Sequence, residues 1–318
     1  MRVLGWLTVA VVLPLFALAQ SLDDGVASFN KGRFGEAKSI FEALLKQNDK
    51  NAEAHYRLGM VLLTRQYRNE DDAVDHMEQA VEINPSNAEY QYGLGSAYGM
   101  KAQNSGVIKQ VFLAPKVKRA FERAVALDPK LVDAHIGLAQ YYWRAPGIMG
   151  GDMEKAWKEA DRAIELDEFK GRLLKANICV SEKKTAEAAQ EMKTLTAHRS
   201  DDWRAWRTAG YFFWRNQMTD DAIASFEKYA GLKPDTGDAY HFLARAYIQK
   251  KDAGKAVPAA MKALALGPDN INAIDVLAQA YELSGQKKEA RENYERLLTM
   301  DVTPEYKKNL EKKIKELQ

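Results

Sequence analysis

Cysteine is almost absent: Cys179 is the only one in 318 residues. A lone cysteine excludes an internal disulfide, so the fold must be held by packing. Cys179 falls at a helical position expected to be buried, where cysteine acts as a small hydrophobe. The five histidines, His55, His76, His135, His198 and His241, are scattered without the spacing of a zinc site. His55 and His135 occupy equivalent packing positions and read as structural. No phosphate-binding glycine loop, His-Glu-x-x-His, nucleophile elbow or dinucleotide fingerprint occurs. The expectation is therefore no catalytic residues, no metal and no cofactor. An excess of either charge is also missing: 46 basic and 44 acidic residues leave a net charge of +2. Both signs are interspersed, which gives no footprint for nucleic acid and reads as solvated helical surface.

Long apolar runs are confined to the N-terminus. Arg2 precedes the apolar stretch Val3 to Leu15, and Ala17-Leu18-Ala19 supplies small residues at a cleavage site. This reads as a signal peptide over 1–19, cut before Gln20, and places the mature chain in the periplasm or outside the cell. The competing reading is an uncleaved anchor. No cysteine follows the run, which argues against lipoprotein anchoring. No second stretch approaches membrane length, so the mature chain should not span a bilayer.

The rest, 46% apolar and 28% charged, has material for a sizeable core or a long repeat array. Its dominant feature is self-similarity. Ala222, Phe226, Tyr229 and Pro234 recur 34 residues on as Ala256, Ala260, Ala263 and Pro268, then as Ala290, Tyr294 and Leu297. Upstream, Ala73, Met77, Ala80 and Pro85 match, as do Phe121, Ala124 and Pro129, and Ala156, Ala160 and Ala163. Ala37, Phe41 and Leu44 mark the first copy, and Ala188, Met192 and Leu195 the fifth. A second set, Leu58-Gly59, Leu94-Gly95 with Tyr98, Leu138-Ala139 with Tyr142, Ala209-Gly210 with Phe213, Leu243-Ala244 with Tyr247 and Leu277-Ala278 with Tyr281, fills the other half of the unit.

This pattern resembles the tetratricopeptide repeat (TPR) family, whose unit is a 34-residue helix-turn-helix. The resemblance implies an all-α, right-handed α-solenoid of about eight such units. They fall at approximately 20–51, 52–87, 88–131, 132–168, 169–202, 203–236, 237–270 and 271–304, with a capping helix over 305–318. Small residues such as Gly210 and Ala244 let paired helices approach, and large ones such as Phe226 fill the space between hairpins. Pro85, Pro129, Pro234 and Pro268 end the second helices.

Three departures stand out. Unit three carries about ten residues beyond the 34-residue repeat, with apolar pairs that predict a short helical turn before Pro115. Unit four carries about five more, Ala145 to Asp152, with Asp152 placed to cap the next helix. At Glu168 the expected proline and two residues are missing, which suggests a local kink. The two insertions belong to neighbouring units and should lie side by side. Val111, Phe112, Ile148 and Met149 would then form an apolar edge that is either a functional surface or locally packed.

The resemblance also implies a groove lined by set positions of the first helices. These select Tyr56, Tyr92, Gln140, Trp143, Arg144, Arg207, Tyr211, Trp214, Arg215, His241 and Arg245. Trp, Tyr and Arg are the residues that dominate binding hot spots, whereas Trp206 and Phe213 read as core. The Lys-plus-Asn clamp of chaperone-binding members is missing: the nearest pairs are Leu173 with Asn177 and Arg207 with Tyr211. The expected function is an exported, non-enzymatic scaffold that binds a protein or peptide in its groove. The alternative is a small-ligand or glycan-binding accessory of a transport or polysaccharide-export system.

Overall fold

The computed structural model describes residues 21–317, so the signal-peptide reading of 1–19 and the cut before Gln20 lie outside the described residues. Those residues form seventeen α-helices and one 3-10 turn at Gly147–Met149, with no strand among them. They divide into two compact units, one ending at Arg162 and the other starting at Ala163.

The first unit contains α1 (Leu22–Asn30) paired with α2 (Phe34–Gln47), α3 (Ala52–Leu62) with α4 (Glu70–Ile83), and α5 (Ala88–Gln103) with α6 (Val107–Leu127). It ends with α7 (Val132–Arg144), the 3-10 turn and most of α8 (Met153–Leu166). The second holds the end of α8, then α9 (Glu168–Ser181) with α10 (Thr185–His198), α11 (Trp203–Arg215) with α12 (Thr219–Leu232), and α13 (Gly237–Gln249) with α14 (Ala253–Leu266). It closes with α15 (Ile271–Leu283), α16 (Lys287–Leu298) and α17 (Pro304–Glu316).

Helix starts are set by short polar side chains that accept from the otherwise unpaired first-turn N–H groups. Asn51, Asn87, Asp202 and Asn270 cap α3, α5, α11 and α15, while Asn69 and Asp252 cap α4 and α14. Asp152 accepts from the Lys155 N–H, as its position in the sequence suggested. Helix ends follow proline: α4, α6, α12 and α14 stop two residues before Pro85, Pro129, Pro234 and Pro268. At the shortened joint, Asp167 alone connects α8 to α9 and caps α9 through the Lys170 N–H at 3.1 Å.

Most hairpins bury a large residue against a small one, while α8 and α14 bury alanines at the equivalent positions. Phe41, Met77, Phe226 and Tyr294 are fully enclosed, opposite small positions of the partner helix. A Cβ added to Gly25, Gly59 or Gly210 would meet Phe41 at 2.5 Å, Met77 at 2.9 Å or Phe226 at 2.5 Å. Cys179 is buried, and desolvation pushes its thiol upward, as expected of a packing residue. His55 and His135 are buried too. His55 Nε2 faces the Asp49 carbonyl oxygen at 2.9 Å and Nδ1 faces His76 Nδ1 at 2.9 Å. His135 meets the Pro129 carbonyl at 3.1 Å and Glu159 at 2.6 Å.

The insertion of unit three is not a separate turn before Pro115. It is the start of one continuous 21-residue helix, α6, with Pro115 inside it. The proline lies on the exposed side, and Val111, whose carbonyl loses its partner, is exposed as well. Water can therefore take the place of the missing N–H. Pro258 sits in α14 on an exposed position in the same way.

Candidate functional site

In the second unit, α11 presents Arg207, Thr208, Tyr211 and Arg215 along one face, at the spacing of successive helical turns. With Leu173 and Asn177 of α9 and Phe242 of α13, they line a cleft of about 300 Å³. Arg207 Nε donates to Asp238 at 2.8 Å, and Asp238 also accepts from the Tyr229 hydroxyl at 3.0 Å. Burial, with the Asp238 charge, pushes that hydroxyl up to about 12, so it remains a donor at neutral pH. The Arg207 guanidinium lies 5.5 Å from the Phe242 ring centre, and Phe242 stacks on buried Phe226 at 5.3 Å. Arg207 is thereby held in place by its neighbours.

Tyr211 is exposed and stands edge-on to Phe242 at 5.9 Å and tilted to Trp214 at 5.8 Å. Arg245 lies over the Trp214 ring at 4.4 Å. Arg215 is exposed and has no carboxylate partner among the described residues. His241 is half-buried, with Nδ1 3.2 Å from the Asn272 carbonyl. Burial and the Arg245 charge lower its pKa, so the ring is neutral at pH 7. The cleft thus joins arginine fork donors to exposed aromatic faces, a combination suited to carboxylates and flat or apolar groups.

The structure brings Arg207, Tyr211 and Arg215 together and sets Trp214, His241 and Arg245 beside them. Asn177, Thr208, Asn216 and Phe242 also line the cleft or its edge. Phe242 carries no signature within its own repeat, and its role depends on α11 of the preceding one. Phe213 is core, whereas Trp206 is only half-buried, its indole N–H donating to the Ser200 carbonyl at 2.8 Å.

The first unit holds a second cavity, of about 340 Å³, between α5, α6, α7 and the 3-10 turn. Val117, Phe121, Ile136 and Met149 give it an apolar floor, while Gln103, Gln140 and Arg144 stand at polar positions. Tyr92 forms part of its wall, 5.9 Å from Phe121. Trp143 is half-buried against the core, with Arg144 over its ring at 4.9 Å.

Tyr56 does not belong to a groove. Its ring is buried against Tyr90 at 5.1 Å and joins the core with Met77. Tyr90, from α5, covers it.

The insertions do meet, since the 3-10 turn packs on α6. Their four apolar residues divide, however. Val111, Phe112 and Ile148 face solvent, while Met149 points into the cavity and its carbonyl accepts from the Tyr141 hydroxyl. Gly150 adopts a φ of +90°, and a Cβ at Gly151 would lie 1.7 Å from the Ala145 carbonyl oxygen. Gly150 is therefore required by its left-handed backbone and Gly151 by a close backbone approach. Among the described residues no group of three or more His, Cys, Asp or Glu is placed to hold a metal. No helix among them is long and apolar enough to cross a membrane.

Comparison with known proteins gives a consistent family. A tetratricopeptide repeat model matches residues 22–88, 174–235 and 213–271, and a second one matches 272–301. The chain is 27% identical over 279 residues to tetratricopeptide repeat protein 37 of Xenopus laevis, covering 86% of this chain and 17% of that protein. It is 25% identical over 290 residues to the mouse superkiller complex protein 3, covering 89% of this chain and 18% of that one. The chain therefore spans under a fifth of the length of these relatives. Among solved structures, yeast Tom70 superposes with a TM-score of 0.64 at 16% identity, covering 97% of this chain and 66% of that chain.

Proposed function

This chain belongs to the tetratricopeptide repeat family, and on that premise we propose that it is an exported scaffold holding an extended peptide, or a helix, of a partner protein in the cleft of its second unit. Proteins of this family are generally non-enzymatic scaffolds for protein–protein interaction. The observation that carries the choice of cleft is Tyr211 beside Arg215: an exposed aromatic ring and an arginine without a carboxylate partner, on one face of α11. Arginine and tyrosine are the side chains that concentrate binding energy in such interfaces. Export rests on Arg2, the apolar run Val3 to Leu15 and the Ala17-Leu18-Ala19 ending.

Crosslinking in the native envelope will identify the partner segment. Its affinity should then fall about 30-fold or more for Tyr211→Ala or Arg215→Ala, the loss expected of a hot-spot residue. Unchanged affinity with a native circular dichroism spectrum would refute the cleft assignment. The mass of the exported protein should begin at Gln20; a chain that keeps residues 1–19 would refute cleavage.

The cavity of about 340 Å³ in the first unit favours a second reading, a small-ligand or glycan site, because it falls in the size range of ligand pockets. A thermal-shift screen with glycans and organic acids separates the two. A ligand at about 100 times its Kd should add roughly 2.7 kcal/mol, whereas a purely peptide-binding protein shows no shift.

A further inference from the structure

The exposed side of α6 combines protruding apolar side chains with cations. Its first two turns expose Val107, Ile108 and Phe112 at 69%, 76% and 73%, and Ile148, on the 3-10 turn that packs against α6, is 94% exposed. Single exposed apolar residues need no explanation, but a contiguous group of protruding ones does. Continuing along the same face, Ile108, Phe112, Pro115, Arg119 and Arg123 fall on one straight stripe of the helix. The stripe is apolar in its first half and basic in its second.

The charge of α6 points the same way. It carries Lys109, Lys116, Lys118, Arg119 and Arg123 against the single acid Glu122, five cations minus one anion, or +4, in a chain whose net charge is +2. Some of this charge is answered nearby: Lys118 reaches Glu122 at 3.6 Å and Lys116 reaches Glu78 at 3.8 Å. Asp71, the acid whose field reaches Lys109, is itself held by Lys101 at 2.7 Å. Arg119 and Arg123 have no carboxylate partner among the described residues.

We propose that this face of α6, with Ile148, docks on an anionic lipid surface. The apolar turns enter the headgroup–acyl boundary, and Arg119 and Arg123 meet lipid phosphates. A helix lying in the interface needs an apolar face beside a basic one, whereas one that spans needs a long uncharged run, which α6 lacks. Protein partners are usually gripped by Trp, Tyr or Arg seated in pockets. Here aliphatic and phenyl groups protrude, and none of them lines either cavity. A fluid lipid surface requires no such shape complementarity.

The test is co-sedimentation of the purified protein with vesicles of phosphatidylglycerol and phosphatidylcholine or of phosphatidylcholine alone. Its N-terminal mass is checked first, so that the run Val3 to Leu15 does not itself supply binding. Partitioning should rise with the phosphatidylglycerol fraction and fall with salt. Arg119→Glu with Arg123→Glu should lower it on anionic vesicles, by roughly fivefold per cation removed, and leave the weak binding to neutral vesicles unchanged. Ile108→Ser, Phe112→Ser and Ile148→Ser together should lower it at least tenfold. All these side chains are exposed, so circular dichroism should stay native. Three results would overturn the proposal. One is no sedimentation with anionic vesicles. Another is wild-type binding by the triple serine variant, which would assign the face to a polyanion without an apolar part. The third is saturable binding of an acidic amphipathic peptide to α6 that vesicles do not displace.

Discussion

At the scale of single residues, the stacking depends on positions that must stay small. Phe121 sits against two of them, since a Cβ on Gly95 of α5 would meet its ring at 2.7 Å and one on Gly137 of α7 at 2.6 Å. Gly210 and Phe226 repeat the arrangement in the second unit. Replacing Gly210 by alanine sets two effects against each other. Better helix propensity favours alanine by about 1 kcal/mol, and overpacking costs about 1–3 kcal/mol. Because the contact is with a fully buried ring, overpacking should win and the melting temperature should fall. Phe226→Ala should cost about 3–5 kcal/mol. The double variant should lose less than the sum, because each change relieves the other. Additive losses by calorimetry would contradict the contact.

A second residue-scale consequence concerns pH. His55 Nε2 faces a carbonyl oxygen, to which it can only donate, and its Nδ1 lies 2.9 Å from His76 Nδ1. Burial and the neighbouring His55 hold the His76 pKa below its ordinary value. The unfolded chain therefore binds a proton that the native protein resists. Stability is complete above about pH 6.5 and declines as pH falls from there toward the lowered native value. Between pH 7 and 5 the wild type should lose more melting temperature than His76→Gln. Equal losses would show that His76 does not take up a proton on unfolding.

At the scale of elements, α6 shows what a repeat pattern conceals. The small-and-large phase was legible in the sequence because it recurs in most hairpins, with alanine at the large position of α8 and α14, and the stops before Pro85, Pro129, Pro234 and Pro268 were legible because they recur at the same place in the unit. The continuity of α6 through Pro115 was not, since proline ordinarily breaks a helix and the tolerance depends on which side faces water. Tyr56 and Phe242 show the complementary limit. One is covered by Tyr90 and the other completes the cleft of α11, and both contacts are made by a neighbouring repeat. If Pro115 interrupts one hydrogen bond of an otherwise regular helix, Pro115→Ala restores it. The gain of up to about 3 kcal/mol in the helix is reduced by roughly 0.4–1 kcal/mol, because alanine is freer than proline when unfolded. Amide exchange over 107–114 should slow and the melting temperature should rise. Faster exchange there would mean that the proline is stabilising α6.

At the scale of the whole molecule, near-neutral charge and even composition hide local differentiation. The +2 of the chain coexists with the basic stripe of α6 and with an arginine-aromatic cleft in the other unit. The most direct test of the binding role places a photo-crosslinking residue at position 211, inside the cleft, or at the exposed position 228 of α12, outside it. A peptide-holding cleft predicts a discrete protein adduct from 211 in the native cell, lost when Arg215→Ala is added, and none from 228. Equal adducts from both positions, or an adduct from 228 alone, would contradict it.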